Sequence, residues 1–192
     1  TYSSNKFDKN YYTDSGRSSL KLFLYNYKKH RYLIPNFICP DVISALREKN
    51  IKFYYYKIDH NGNINYADLK KKLENVDVIY LINYFGNYEK LPNTIYNLIN
   101  SKIVIEDNTF ILNFNNIRKF KNWFAFNSLR KISSAIDGSL IKTNLNLSKK
   151  ILSKKKSPCS KYMALSKKNY KLYKKTNQKK YDEYSIKYLV RY

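Results

Sequence analysis

The sequence predicts an α/β protein of three layers, with helices covering both faces of a mostly parallel sheet. Short, continuously apolar runs such as "DVIYLINY" and "KIVIED" alternate with amphipathic segments of about a dozen residues. A strand that is apolar at every position has both faces buried, which a parallel sheet between two helical layers provides. Hydrophobic residues make up 43% of the 192-residue chain, enough for a core of that kind. The alternation stops near Leu145, and the rest of the chain reads as helical and rich in lysine and tyrosine. The expected organisation is therefore residues 1–144 as the α/β domain and 145–192 as a basic helical segment.

The elements follow in order. After a polar start, Asp14-Ser15-Gly16 reads as a turn, and "RSSLKLFLYNY" places Leu20, Phe23, Leu24 and Tyr27 near helical spacing. "RYLIP" is a short buried strand stopped by Pro35. "PDVISALREKN" opens with proline in its first turn and ends in basic and polar residues, as helices do. "IKFYYYKI" is aromatic and strand-like, "DHNGNI" is a turn, and "NYADLKKKLENV" is an amphipathic helix. "DVIYLINY" is a strand, "TIYNLINS" a helix and "KIVIED" a strand. "NWFAFNS" and "GSLIKTN" are two further strands on either side of a loop that holds Lys131.

The formal charge is +23, and it is uneven. Residues 145–192 hold 15 basic and 2 acidic residues, while residues 1–144 hold 22 and 12. Such a charge invites a nucleic-acid reading. Lysine dominates it, however, and asparagine, tyrosine and isoleucine are abundant too, as an AT-rich genome produces. Arginine, the better bidentate reader of phosphate and guanine, is scarce. With charge as its sole footprint, a nucleic-acid module carried by the basic segment stays an alternative only. Cys39 and Cys159 are far apart, without metal-ligand spacing, which suits a reducing cytoplasm. No apolar run is long enough to span a bilayer, so no membrane insertion is expected. No signal peptide is expected from the polar stretch at Thr1.

In parallel sheets, ligands bind beyond the carboxyl ends of the strands. The turns at Pro35–Cys39, Asn83–Gly86, Asp107–Phe110 and Asn127–Lys131 are therefore the places to look. Each candidate has an ordinary reading. Asp107 is common turn chemistry after a strand. Glu106 is expected to face solvent or to form an ordinary ion pair. Gly16 and Ser18 suit a turn and a helix start, which is also a natural phosphate cradle. Lys131 is one of 31 lysines. His30 and His60 sit in loops without carboxylate or cysteine partners, and both read as structural or solvated.

Taken in order and spacing, "SGRSSL", "LIPNFICPDVISALREKNIKFYYYKID", "INYFG", "VIEDNTF" and "SLRKISSAIDGSLI" resemble a known pattern. It is the large domain of fold type I pyridoxal-phosphate enzymes. The chain is most similar to the DegT/DnrJ type of sugar aminotransferase, in a less characterised branch with the "SLRK" form. The resemblance covers roughly residues 15 to 145.

The resemblance implies a cofactor, pyridoxal 5′-phosphate (PLP), held by its phosphate, its ring nitrogen and its aldehyde. Gly16, Arg17 and Ser18 would give backbone amides and a hydroxyl to the phosphate, with Ser128 as a further ligand. Asp107 would pair with the ring nitrogen. Lys131 would form the Schiff base and later move the proton, which requires a neutral amine of the kind that burial beside a cation produces. An aromatic residue stacks on the ring in this superfamily, implying Phe37, with Cys39 as the alternative. Where relatives carry Gln or His after the strand-end aspartate, this chain has Asn108, Thr109 and Phe110, leaving Asn83 for the ring hydroxyl.

The implied activity is that of an aminotransferase acting on a keto or amino sugar, nucleotide-linked, with a small-molecule donor such as glutamate, for surface polysaccharide, in a cytoplasmic homodimer. The family's C-terminal small domain of strands and helices is expected to be short or missing, since only about fifty residues follow Ile141. A truncated or non-catalytic descendant is therefore the second reading.

Overall fold

The structure is a computed structural model that describes residues 9–88, 90–112, 120–148 and 158–190. Strand β1 (Lys9–Thr13) precedes α1 (Gly16–Asn26), β2 (Tyr32–Pro35), α2 (Pro40–Glu48), β3 (Phe53–Tyr56) and α3 (Tyr66–Lys72). Then come β4 (Val78–Ile82), α4 (Asn93–Ile99), β5 (Ile103–Asp107) and β6 (Asn122–Phe126). A single helical turn, α5 (Leu129–Ile132), leads to β7 (Ser139–Thr143), and α6 (Pro158–Thr176) and α7 (Lys179–Val190) follow.

Among the described residues, seven strands form one sheet in the order β1-β7-β6-β5-β4-β2-β3. Strands β2 to β6 run parallel, and β7 lies antiparallel to both β6 and β1. The predicted three-layer class is the observed one. Side chains along the strands alternate between two cores. On one face Tyr32, Ile34, Val78, Tyr80, Ile105 and Phe124 pack with Phe23 and Leu24 of α1 and Leu46 of α2. On the other, Leu33, Ile79, Leu81, Val104 and Trp123 pack with Leu69 of α3 and Ile95 and Ile99 of α4. The chain stays on the first core past β7, where Leu145 and Leu147 are buried in it.

Three features depart from the sequence reading. The polar start holds β1, an edge strand whose residues alternate between half-buried and exposed, so it lacks the apolar run that marks the central strands. Lys131 lies on the short helix α5 rather than in a loop. Glu106 does not face solvent: it is buried, because a central strand covered on both faces has no solvent side. No helix among the described residues is long and apolar enough to cross a membrane.

The first core is centred on Phe124, which is fully buried and contacts the rings of Phe23 and Phe126 at centroid distances of 4.8 and 5.9 Å. Removing it opens a cavity in the middle of the sheet. Phe124→Ala is expected to lower the unfolding free energy by about 3–5 kcal/mol, measured by denaturant titration.

Candidate active site

Strands β4, β5 and β6 pair so that Ile82, Asp107 and Phe126 lie side by side at their carboxyl ends. The residues just beyond, Asn83, Asn108 and Asn127, are all buried. They tie the turns together: Asn83 Nδ2 donates to Asn108 Oδ1, and the backbone N–H of Asn108 donates to the Phe126 carbonyl at 2.8 Å. Asn127 Nδ2 donates to the Ile111 carbonyl, and its Oδ1 accepts the N–H of Leu140.

Asp107 is buried at the centre of this row. Its Oδ1 accepts the N–H of Thr109 at 3.0 Å and its Oδ2 accepts the phenol O–H of Tyr80 at 2.7 Å. Burial pushes the carboxyl above its ordinary range. The hydrogen bonds from Thr109 and Tyr80 and the charge of Lys131 oppose that shift without cancelling it.

Asp107 and Lys131 line two adjoining cavities. The inner one, of about 220 Å³, runs from Asp107 and Tyr80 to the N-terminus of α1, past Ser15, Gly16, Arg17, Ser128 and Arg130. Ser15 caps α1 by accepting the N–H of Ser18 at 3.2 Å. The amides of Gly16 and Arg17 belong to the first turn, where a helix leaves N–H groups without intrahelical acceptors. Gly16 sits where a Cβ would come within 3.2 Å of the Asn127 carbonyl and 3.4 Å of the Phe126 ring. Glycine thus lets the start of α1 close onto the end of β6 beside Ser128. This end of the cavity offers hydroxyls, amides and the positive pole of a helix, a set suited to an anion.

The outer cavity, of about 350 Å³, is walled by Phe37, Ile38, Tyr84, Phe85 and Phe110, with Asn83 among its lining residues. Tyr84 donates its hydroxyl to the Phe37 carbonyl, tying the turn after β4 to the one after β2. Phe85 holds a positive φ of 54° and is 78% exposed, and Gly86 follows at φ 85° with the Phe110 carbonyl close by. A non-glycine residue in that region is strained, and such residues cluster at functional sites.

The residues singled out from the sequence fall around these two cavities, except Ser18, which lines neither. Gly16, Arg17 and Ser128 line the inner one and Phe37 and Asn83 the outer one, while Asp107 and Lys131 line both. The Arg17 guanidinium turns away to Asp41 and Glu48 of α2, at 3.7 and 3.3 Å. The Ser18 hydroxyl accepts that of Ser15 at 3.1 Å. Phe37 is 61% exposed on the outer cavity only, whereas Cys39 lines both cavities beside Asp107. Lys131 is exposed rather than buried, and its Nζ lies 5.2 Å from the centre of the Phe110 ring, a cation–π contact. Tyr80 was not anticipated from the sequence. Its place in an apolar run reads as core, and only the strand register brings it to Asp107.

Because burial raises the carboxyl of Asp107, its linkage to stability has a definite sign. The contribution is fully present below the unfolded-state value and is lost as pH rises through the folded-state value. Asp107→Asn removes that loss. The ligand-free variant is expected to gain stability relative to the wild type as pH rises from about 4 to 7, read from denaturant unfolding at each pH.

No protein-family model and no curated protein matches the sequence. Solved structures match in shape. Helicobacter pylori PseC, an aminotransferase involved in the biosynthesis of pseudoaminic acid, superposes with a TM-score of 0.59 at 18% identity, over 71% of this chain and 40% of that one. The histidinol-phosphate aminotransferase of Clostridium acetobutylicum matches at 0.57 and 16%, over 72% and 46%. The kynurenine aminotransferase of Pyrococcus horikoshii matches at 0.55 and 13%, over 73% and 41%. The chain thus spans less than half the length of these enzymes. The mostly parallel seven-stranded sheet with its flanking helices is the fold of fold type I aminotransferases.

Proposed function

We propose that this chain is the cofactor-binding part of a PLP-dependent aminotransferase. The observation that carries the reading is the joint lining of two connected cavities by Asp107 and Lys131, with the N-terminus of α1 at the far end of the inner one. The residues present fit the cofactor. Its phosphate suits the amides of Gly16 and Arg17 with the hydroxyl of Ser128, and the Ser18 hydroxyl would join them by turning from Ser15. Asp107 is a buried carboxylate that forms no salt bridge among the described residues, and a protonated ring nitrogen is the partner that burial leaves it needing. Asn83 and either Phe37 or Cys39 border the ring.

When bound, the cofactor supplies an electron sink for the carbon whose amine is exchanged. The protein's part is divided among few groups. Lys131 provides the anchoring amine and afterwards holds and moves the proton at Nζ. Asp107 keeps the ring nitrogen protonated by its charge. The outer cavity receives the reacting molecule. Its aromatic walls suit the apolar C–H face of a keto sugar, here assigned as the acceptor of an amine taken from a donor such as glutamate. A nucleotide-linked sugar destined for surface polysaccharide is the corresponding product class. The exposed rings of Phe37 and Phe85 are an apolar patch that a second copy of the chain would cover, so the working form is proposed as a homodimer.

A second reading, a protein that keeps the cofactor site without turnover, has its own support. Lys131 is exposed in the single chain.

Borohydride reduction of the protein loaded with PLP, followed by peptide mapping, is expected to place the label on Lys131. Adventitious labelling would scatter over the lysines of α6 and α7, and that outcome removes the reading. Lys131→Ala is expected to bind PLP weakly and to abolish transfer. Asp107→Asn is expected to retain the cofactor with proton transfer slowed by several orders of magnitude, roughly as loss of a charge that acts in the transition state requires. A labelled wild type that never takes an amine from glutamate or glutamine supports the second reading. Sedimentation of the loaded protein as a monomer at micromolar concentration rules out the dimer.

A further inference from the structure

We propose that Tyr80 is a positioning residue that fixes the Asp107 carboxyl group and favours its anionic form. The inference rests on the PLP reading only for its functional consequence. Tyr80 pairs with Ile105 and Ile82 with Asp107, so Tyr80 lies two residues deeper than Asp107 and on the same face of the sheet. Its ring is 1% exposed within the first core, and its hydroxyl emerges at the base of the inner cavity, 2.7 Å from Asp107 Oδ2. That distance is in the range of charge-assisted O–H···O⁻ bonds.

The tyrosine is itself held. Pairing of β2 with β4 reaches only Leu33↔Ile79, and the Tyr80 carbonyl beyond it accepts the hydroxyl of buried Tyr56 at 2.9 Å. A phenol anchored at its backbone and gripped by the core has little freedom to turn. With the Thr109 amide on Oδ1 and the Thr109 side chain also bonded to the carboxyl group, it holds the carboxylate in one orientation. The other titratable or charged groups that line the two cavities with Asp107 are Arg17, Cys39, Asp41, Tyr84, Arg130 and Lys131. Among the described residues, none of these has a hydrogen bond to the carboxylate; its side-chain partners are Tyr80 and Thr109. An apolar residue at position 80 would fill the core equally well but would take a hydrogen bond from buried Oδ2, which favours the protonated acid.

Tyr80→Phe removes the hydroxyl and keeps the ring. The test follows the Asp107 carboxyl by carbon NMR against pH in ligand-free wild type and variant, with Asp107→Asn assigning the signal. The midpoint is expected to rise in Tyr80→Phe. A purely structural tyrosine would lower stability and leave the midpoint in place, and an unmoved midpoint overturns the proposal. If the variant does not fold, the wild type carries the same test. The Tyr80 ring carbon bearing the hydroxyl is expected to titrate with the Asp107 midpoint, and absence of that step overturns the proposal.

PLP binding is measured in parallel, with affinity expected to be about tenfold weaker in Tyr80→Phe, as loss of a hydrogen bond to a charged group implies. The two readings fail separately. A shifted midpoint in a protein that never binds PLP upholds the tyrosine and removes the cofactor. PLP binding with an unmoved midpoint does the reverse.

Discussion

Ile82, Asp107 and Phe126 stand at one level because β4, β5 and β6 pair in parallel with their ends aligned, and the site is built outward from that level. Parallel pairing sends every connection back over a face of the sheet. The turns after the strands therefore collect at one edge, where their backbones are free for other partners. Side chains alternate along a strand, so a slip of one residue in β5 would turn Asp107 to the face of α3 and α4 and bring Glu106 to the cavity. The hydrophobic pattern guards against this. Val104 and Ile105 are each fully buried in a different core, and exchanging their faces would unpack both.

Packing and chemistry meet most closely at the start of α1. Gly16 lets the helix touch the Asn127 carbonyl and the Ser128 side chain, and Ser19 within the same helix bonds the Ser139 hydroxyl of β7 at 2.7 Å. The helix is thus fixed to both β6 and β7. These contacts shape the end of the inner cavity that Ser15, Gly16, Arg17 and Ser128 line.

The central strands were legible in the sequence because burial on both faces leaves an unbroken apolar run. The helices were legible because they face water on one side only. Strand β1 was not: "KNYYT" alternates half-buried and exposed positions at a sheet edge, a pattern that a polar terminal stretch shares. Lys131 and Asp107 were found through the order and spacing of several segments, never from composition, which offers 31 lysines. The exposure of Lys131 on Phe110, the preference of Cys39 over Phe37 for the inner cavity, and the burial of Glu106 all depend on which strands are neighbours. So does the bond between Tyr80 and Asp107, twenty-seven positions apart. Strand order is a property of the closed sheet and leaves no local mark in the chain.

The pairing of β1 with β7 joins Lys9 to Thr143, across almost all of the α/β region. Contacts so distant in sequence form late, after the loop between them has been shortened by the folding of everything inside it. The turn at Ser15 and Gly16 follows β1 directly, and Ser128 and Lys131 precede β7, so the two halves of the inner cavity come from opposite ends of the α/β region. A molecule that bridged them would bind the folded chain in preference to the unfolded one and stabilise it by mass action. Occupancy of such a site would tie the two ends of the α/β region together and raise the apparent stability of everything between them.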